Sequence, residues 1–315
     1  MRLFARFTAA CVLAWLTGCA QFVPQTIDLR ADWPANVPRA VELRGVPFFP
    51  QTQFECGPAS LATILKTAGA STTPDELEKE VYLPARQGSL QVEMLAAPRR
   101  HGLIGWQLPQ RYSALLEELT AGRPVLVLQN MGIWPFDDWH YAVVVGFDYE
   151  RGELYLRSGQ TERMALPFTI FEVTWRRSGY WAMIAARPQE IPVNATETTY
   201  RNTLLAFGRV ATQTDTRAAW EAFLKRWAGD PVASIALSNL YYGAHELHAA
   251  EDVLRRSQQR NPDSVEVLNN LSQVLSELGR DSEALRLIDR AVELKGPFQN
   301  EVIATRAGIL AKLPK

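Results

Sequence analysis

Three cysteines and four histidines are all the soft nucleophiles and imidazoles this chain has, and two of them have surroundings suited to chemistry. Cys56 stands in Gln51-Thr-Gln-Phe-Glu-Cys56-Gly-Pro-Ala-Ser-Leu-Ala. Pro58 suits the first turn of a helix, and Leu61, Ile64 and Leu65 fall on one face of it. The thiol is thereby placed at the helix N-terminus, where unpaired N–H groups and the macrodipole favour a thiolate. A cysteine used only for packing is expected on the apolar face instead. A nucleophilic cysteine needs a base. His101 lies in Arg-Arg-His-Gly, the pattern of a helix end closed by a cation. His140 opens Trp139-His-Tyr-Ala-Val-Val-Val-Gly-Phe-Asp148, whose β-branched run predicts a buried strand over 141–147. A histidine at the mouth of such a strand faces a cleft on rigid backbone, so Cys56 and His140 are the expected pair.

The elements that must position this pair are legible around it. Residues 41–49 alternate as a strand, and Pro47 puts it at an edge or ends it early. Helical patterns at 74–82, 89–101 and 112–121 lead to a strand at 125–129. After the 141–147 strand, a hairpin over 148–152 leads to Glu153-Leu-Tyr-Leu-Arg-Ser158-Gly-Gln160. Hydrophobic residues make up 47% and charged residues 21% of the 315, enough apolar side chain to exclude general disorder. The net charge of −1 argues against a nucleic-acid binder, which normally carries a basic surplus.

The first residues read as an address. Arg2 and Arg6 precede an apolar run from Phe7 to Leu16, too short to span a bilayer but suited to a signal peptide. It ends in Leu16-Thr-Gly-Cys19, which resembles the lipobox of bacterial lipoproteins. That resemblance implies a signal peptide over 1–18, lipidation of Cys19 and a lipidated tether over 19–40. Ala20 after the cysteine, by resemblance to sorting rules of double-membraned bacteria, points to the outer membrane, facing the periplasm. Cys11 then leaves with the signal peptide, and Cys56 is the sole free thiol in an oxidising compartment.

The Gln-x-x-x-x-Cys-Gly-Pro-Ala-Ser-Leu-Ala segment, with Trp-His-Tyr-Ala-Val-Val-Val-Gly-Phe-Asp some 85 residues later, resembles the C39-like cysteine peptidases. These are papain-like enzymes best known as the leader-cleaving domains of bacteriocin exporters. The resemblance covers about 41–190 and implies an α+β papain-like domain, N-terminal helices packed on an antiparallel sheet. It makes Cys56 the nucleophile and His140 the base of a thiolate–imidazolium pair. It makes Gln51 the oxyanion-hole residue, with Gln53 the second choice. The family's third member, an Asp or Asn that fixes the imidazole, has no carboxylate at its place here; Ser158 stands there, with Gln160 close by. Asp137 and Asp138 are the carboxylates that could serve from elsewhere.

Beyond Pro192 the composition turns to helix formers. Ala250 with Ser257, and Ala284 with Ala291, are small-residue pairs 34 apart, the tetratricopeptide period. Asn239-Leu240 and Asn270-Leu271 are 31 apart, which predicts a shortened turn in the first repeat. The segment 196–315 resembles an all-α tetratricopeptide-like domain, two clear units with flanking helices. Such repeats stack to bury a core and leave a face for peptides or partner helices. His245 and His248, without a third ligand, predict no metal site.

These observations lead to a lipid-anchored cysteine peptidase that uses no cofactor and acts on a peptide or protein, with repeats that dock substrate or partner. The alternative is a catalytically degenerate, peptide-binding adaptor lipoprotein in an envelope complex.

Overall fold

A computed structural model describes residues 23–51, 55–133, 135–296 and 298–313. The chain divides into two compact units, 1–187 with 192–195, and 188–191 with 196–315.

The first unit is an α+β fold around one antiparallel sheet. The strands are β1 (Ala40–Glu42), β2 (Tyr82–Leu83), β3 (Gly88–Ser89), β4 (Ile104–Gln107), β5 (Val125–Asn130), β6 (Trp139–Asp148), β7 (Glu153–Ser158), β8 (Thr161–Pro167) and β9 (Ala182–Ala186). The main sheet runs β4-β9-β5-β6-β7-β8, with β1 also on β6, and β2 pairs only with β3. The helices are α1 (Pro24–Ala31), α2 (Cys56–Thr67), α3 (Pro74–Val81), α4 (Gln91–Ala96), α5 (Tyr112–Thr120) and α6 (Phe168–Arg176). Strand β6 is central and long: β5 pairs with its first half, β1 with its last three residues, and β7 lies on its other side. Its residues 141–147 are all buried, as a β-branched run between two covered faces must be. From α2, Leu61, Ile64 and Leu65 pack on Tyr141, Val143 and Val145 of β6 in one core. Each such side chain contributes about 1.5–3 kcal/mol by leaving water, so the cysteine helix and the histidine strand are joined by the strongest contact available.

Two sequence expectations change here. The strand expected over 41–49 is only β1, Ala40–Glu42, because the chain turns at Arg44-Gly45, where the Val46 N–H donates to the Leu43 carbonyl at 3.3 Å. In place of an unstructured tether over 19–40, Pro24–Ala31 form α1, and Leu29 is buried. The buried Glu172 carboxylate accepts from the Gln25 and Thr26 backbone N–H groups (2.9 and 2.6 Å), satisfying orphan donors of the α1 first turn. The signal peptide and Cys19 lie outside the described residues.

The second unit is a helical repeat. Its helices are α7 (Glu197–Phe207), α8 (Gln213–Arg226), α9 (Pro231–Gly243), α10 (Leu247–Arg260), α11 (Val265–Glu277), α12 (Asp281–Leu294) and α13 (Gln299–Lys312). First helices start at 197, 231, 265 and 299, and second helices at 213, 247 and 281, a constant step of 34. The N-caps keep the same step: Thr196, Asp230 and Ser264 each accept from the backbone N–H three residues on. The expected shortened turn is therefore corrected. With a step of 34, Leu271 corresponds to Leu237, both buried, and the 31-residue spacing of the Asn-Leu pairs is a coincidence of composition. The unit contains three helix pairs plus a closing helix, one pair more than the small residues marked. Thr216 and Phe223 stand in the first pair where Ala250 and Ser257 stand in the second.

Candidate active site

Cys56 is the first helical residue of α2, behind the N-cap Glu55. Its half-buried thiol lines a cleft of about 740 Å³ together with Gln51, Ser89, Asp138, His140 and Gly159. The cleft thus collects three of the four residues singled out for catalysis. The fourth, Ser158, is buried behind it and lies 2.9 Å, Oγ to Nε2, from the His140 ring. Strand β7 delivers Ser158 and β6 delivers His140, neighbours in the sheet, which fixes the ring without a flexible connection.

Gln51 is 7% exposed and clamps the site from the chain before α2. Its backbone N–H donates to the Gly159 carbonyl (3.0 Å), and the Gly159 N–H donates to its Oε1 (3.2 Å). Gly159 has φ +56°, the left-handed turn conformation that lets the chain pass from β7 to β8 at this contact. The Gln51 Nε2 donates to Ser60 Oγ (3.1 Å), which in turn donates to the Tyr141 carbonyl (3.1 Å). A side-chain amide carries two N–H donors, and among the described residues only Ser60 takes one from Gln51. Ser60 is a positioning residue that the sequence reading did not mark. The only signal for it is a hydroxyl one helical turn after Cys56, on a face otherwise apolar. Gln53, the second choice for the oxyanion, lies outside the described residues. Gln160 does not reach the imidazole; its Nε2 donates to the Gln51 carbonyl.

The two carboxylates considered as substitutes for the missing acid differ in fate. Asp137 accepts from Asn130 Nδ2 (2.6 Å) and pairs with Arg177 (3.5 Å). Asp138 lines the cleft, and its charge pulls the His140 pKa up. Neither takes the ring-nitrogen contact, which belongs to Ser158.

Electrostatics at rest depart from the expected ion pair. Burial pushes the Cys56 thiol above its ordinary value, opposed by backbone hydrogen bonds from Tyr141, Gly57 and Cys56 itself, and the Asp138 charge adds to the rise. Burial likewise pushes the His140 imidazole down, against the pull of Asp138. Both shifts favour the uncharged forms and so work against the expected ion pair. The helix N-terminus does act on the sulfur in the expected direction, but desolvation of a charge outweighs it. The arrangement can still deliver nucleophile and base together, because proton transfer from sulfur to nitrogen creates no net charge.

Of the remaining histidines, His101 ends a short 3-10 helix, and its Nε2 lies 3.0 Å from Glu80. His245 takes a left-handed turn (φ +61°) between α9 and α10, the place Gly279 holds one repeat later. No group of three or more His, Cys, Asp or Glu able to hold a metal occurs among the described residues.

Residues 43–183, somewhat under half of the chain, match the Peptidase_C39 like family. No curated protein matches the chain. Among solved structures, a protein described as a C39-like peptidase from Bacillus anthracis is 18% identical, with 46% of this chain and 96% of that chain covered and a TM-score of 0.39. A double glycine motif protease from an AMS/PCAT transporter, solved in complex with the leader peptide, is 21% identical over 46% and 96%, TM-score 0.34. YrrB, a TPR protein with an unusual peptide-binding site, is 21% identical over 37% and 59%, TM-score 0.33.

Proposed function

We propose that the protein is a cysteine peptidase, lipid-anchored through Cys19 at the outer membrane and facing the periplasm, whose repeat unit docks the peptide substrate or a partner. One observation carries the catalytic reading: the α2 N-terminus brings the thiol into the same cleft as an imidazole whose Nε2 is held by Ser158 at 2.9 Å. The family match over 43–183 supports the coarser statement, a peptidase or peptide-binding domain.

In the proposed mechanism the Cys56 proton passes to His140 as sulfur bonds to the scissile carbonyl carbon. The free Gln51 N–H and the Cys56 backbone N–H then receive the developing oxyanion. His140 returns the proton to the departing amine, which leaves a thioester. Water, deprotonated by His140, attacks the thioester to release the acid and restore the thiol. Ser158 orients the ring but lends no charge to the imidazolium. That weakness, with burial pushing both groups toward their uncharged forms, favours the second reading, a peptide-binding adaptor that has lost turnover.

The test is iodoacetamide alkylation of Cys56 against pH in the protein beginning after Cys19. Burial raises the thiol pKa, so thiolate is scarce at neutral pH and the main rise in rate should come above the free-thiol value of about 8.5. Below it, reaction should depend on His140 as base. A His140→Ala variant is expected to lose about a hundredfold or more at pH 7 and little in strongly alkaline solution. Equal rates at pH 7 would remove the peptidase reading and leave the adaptor.

A further inference from the structure

The turn from β5 into β6 sets two adjacent carboxylates on the cleft wall, and the chain neutralises only one of them. Asn130, 2% exposed, organises the turn: its Oδ1 accepts from the Gly132 and Asp138 backbone N–H groups (both 3.1 Å). The Asp138 carbonyl accepts from the Met131 N–H at 2.7 Å. The backbone of Asp138 is therefore pinned on both sides, two residues before His140. Asp137 points into this frame and meets Arg177, whose guanidinium also donates to the Gly132 carbonyl. The Asp138 carboxylate has no hydrogen bond or ion pair among the described residues. It faces the cleft, and no other charged group shifts the His140 imidazole. Arg86, the other cation of the lining, stands exposed on the wall formed by residues 86–91. Of the two carboxylates, the Asp138 charge is the one that acts on the thiol and the imidazole.

We propose that Asp138 determines specificity: the cleft takes peptides that present a cation beside the scissile carbonyl, either a lysine or arginine side chain or a free α-ammonium group. This rests on the peptidase reading and narrows its substrate class. The Asp138 carboxylate, exposed at the cleft wall and without a cation of its own among the described residues, attracts an ammonium or guanidinium group that approaches the thiol and imidazole. A cation bound there screens the carboxylate from the sulfur and from the imidazole alike, since the Asp138 charge acts on both.

Peptidyl chloromethyl ketones test the inference, since the thiolate displaces chloride and forms a stable S–C bond whether or not the protein turns over peptides. Four reagents are compared on the protein beginning after Cys19, by mass spectrometry of Cys56: N-blocked lysyl, N-blocked alanyl, N-blocked glutamyl, and alanyl with a free amine. At least one cationic reagent is expected to label about tenfold faster than blocked alanyl, and the glutamyl reagent slower. In Asp138→Asn, an exposed and isosteric change, that ratio should fall to about one. A faster lysyl reagent assigns the cation to a side chain, and a faster free alanyl reagent assigns it to the amino terminus. Ratios near one in the wild type, or unchanged in Asp138→Asn, overturn the inference while leaving the peptidase reading standing. No labelling of Cys56 by any of the four would overturn both.

Discussion

Ser158 is the residue on which the energetics of the site turn. An ionised acid at that position would stabilise the imidazolium by charge, whereas a hydroxyl offers a neutral hydrogen bond with a net worth of about 0.5–1.5 kcal/mol. Ser158→Ala should therefore slow Cys56 alkylation at pH 7 by only about two- to twelvefold. An unchanged rate would show that packing alone holds the ring. A loss beyond about a hundredfold would mean that Ser158 does more than orient it. The same side chain marks a boundary of legibility. The motifs around Cys56 and His140 identify themselves by residue type and neighbours. Ser158 is an ordinary strand residue until β6 and β7 pair and set its Oγ against Nε2. Ser60 is harder still, since its role exists only once Gln51 and Tyr141 arrive from either side.

Strand and helix positions are fixed by a few close approaches. Gly57, beside the nucleophile, has no room for a side chain. A Cβ there would lie 2.4 Å from Ser89 Oγ and 2.8 Å from Ser89 Cβ. Ser89 cannot simply withdraw, because its carbonyl accepts from the Tyr141 hydroxyl at 3.1 Å. Gly57→Ala is expected to cost about 1–3 kcal/mol, the usual penalty for overpacking, read as a lower urea midpoint at constant slope. Adding Ser89→Gly should recover most of it. Failure of that rescue would place the strain at the start of α2 rather than against β3. Helices α3 and α5 and strand β5 fall within a residue or two of where periodicity put them. The capping box of α3 shows why, with Thr73 and Glu76 closing the first turn reciprocally. Strand β1 and helix α1 were less legible, because what orders them is distant in sequence. Glu172 holds the first turn of α1, and β6 supplies the only ladder for β1.

Each unit of the molecule has its own apolar core, one around α2 and β6, the other around α9 to α13. Leu271 is fully buried in the second. Leu271→Ala should destabilise that unit by about 2–5 kcal/mol, the transfer loss plus the cavity left behind. Thermal unfolding should show the drop while the pH profile of Cys56 alkylation below the transition stays unchanged. A shifted profile would reveal coupling between repeat and thiol that separate cores do not provide. The sequence by itself determined the 34-residue period, through small-residue spacing, and, through the resemblance carried by the Cys56 and His140 motifs, the α+β class of the first unit. Only the tertiary structure decided that the first flanking helices form a third pair in step with the repeats, that Ser158 and not a carboxylate meets the imidazole, and that burial pushes the thiol pKa up. The third pair emerges because Thr216 and Phe223 fill the places of smaller residues, a substitution that packing accommodates but a sequence pattern hides. The protonation state is a balance between helix-end N–H groups and desolvation. Desolvation depends on everything folded around the sulfur, and no stretch of neighbours in the chain encodes it.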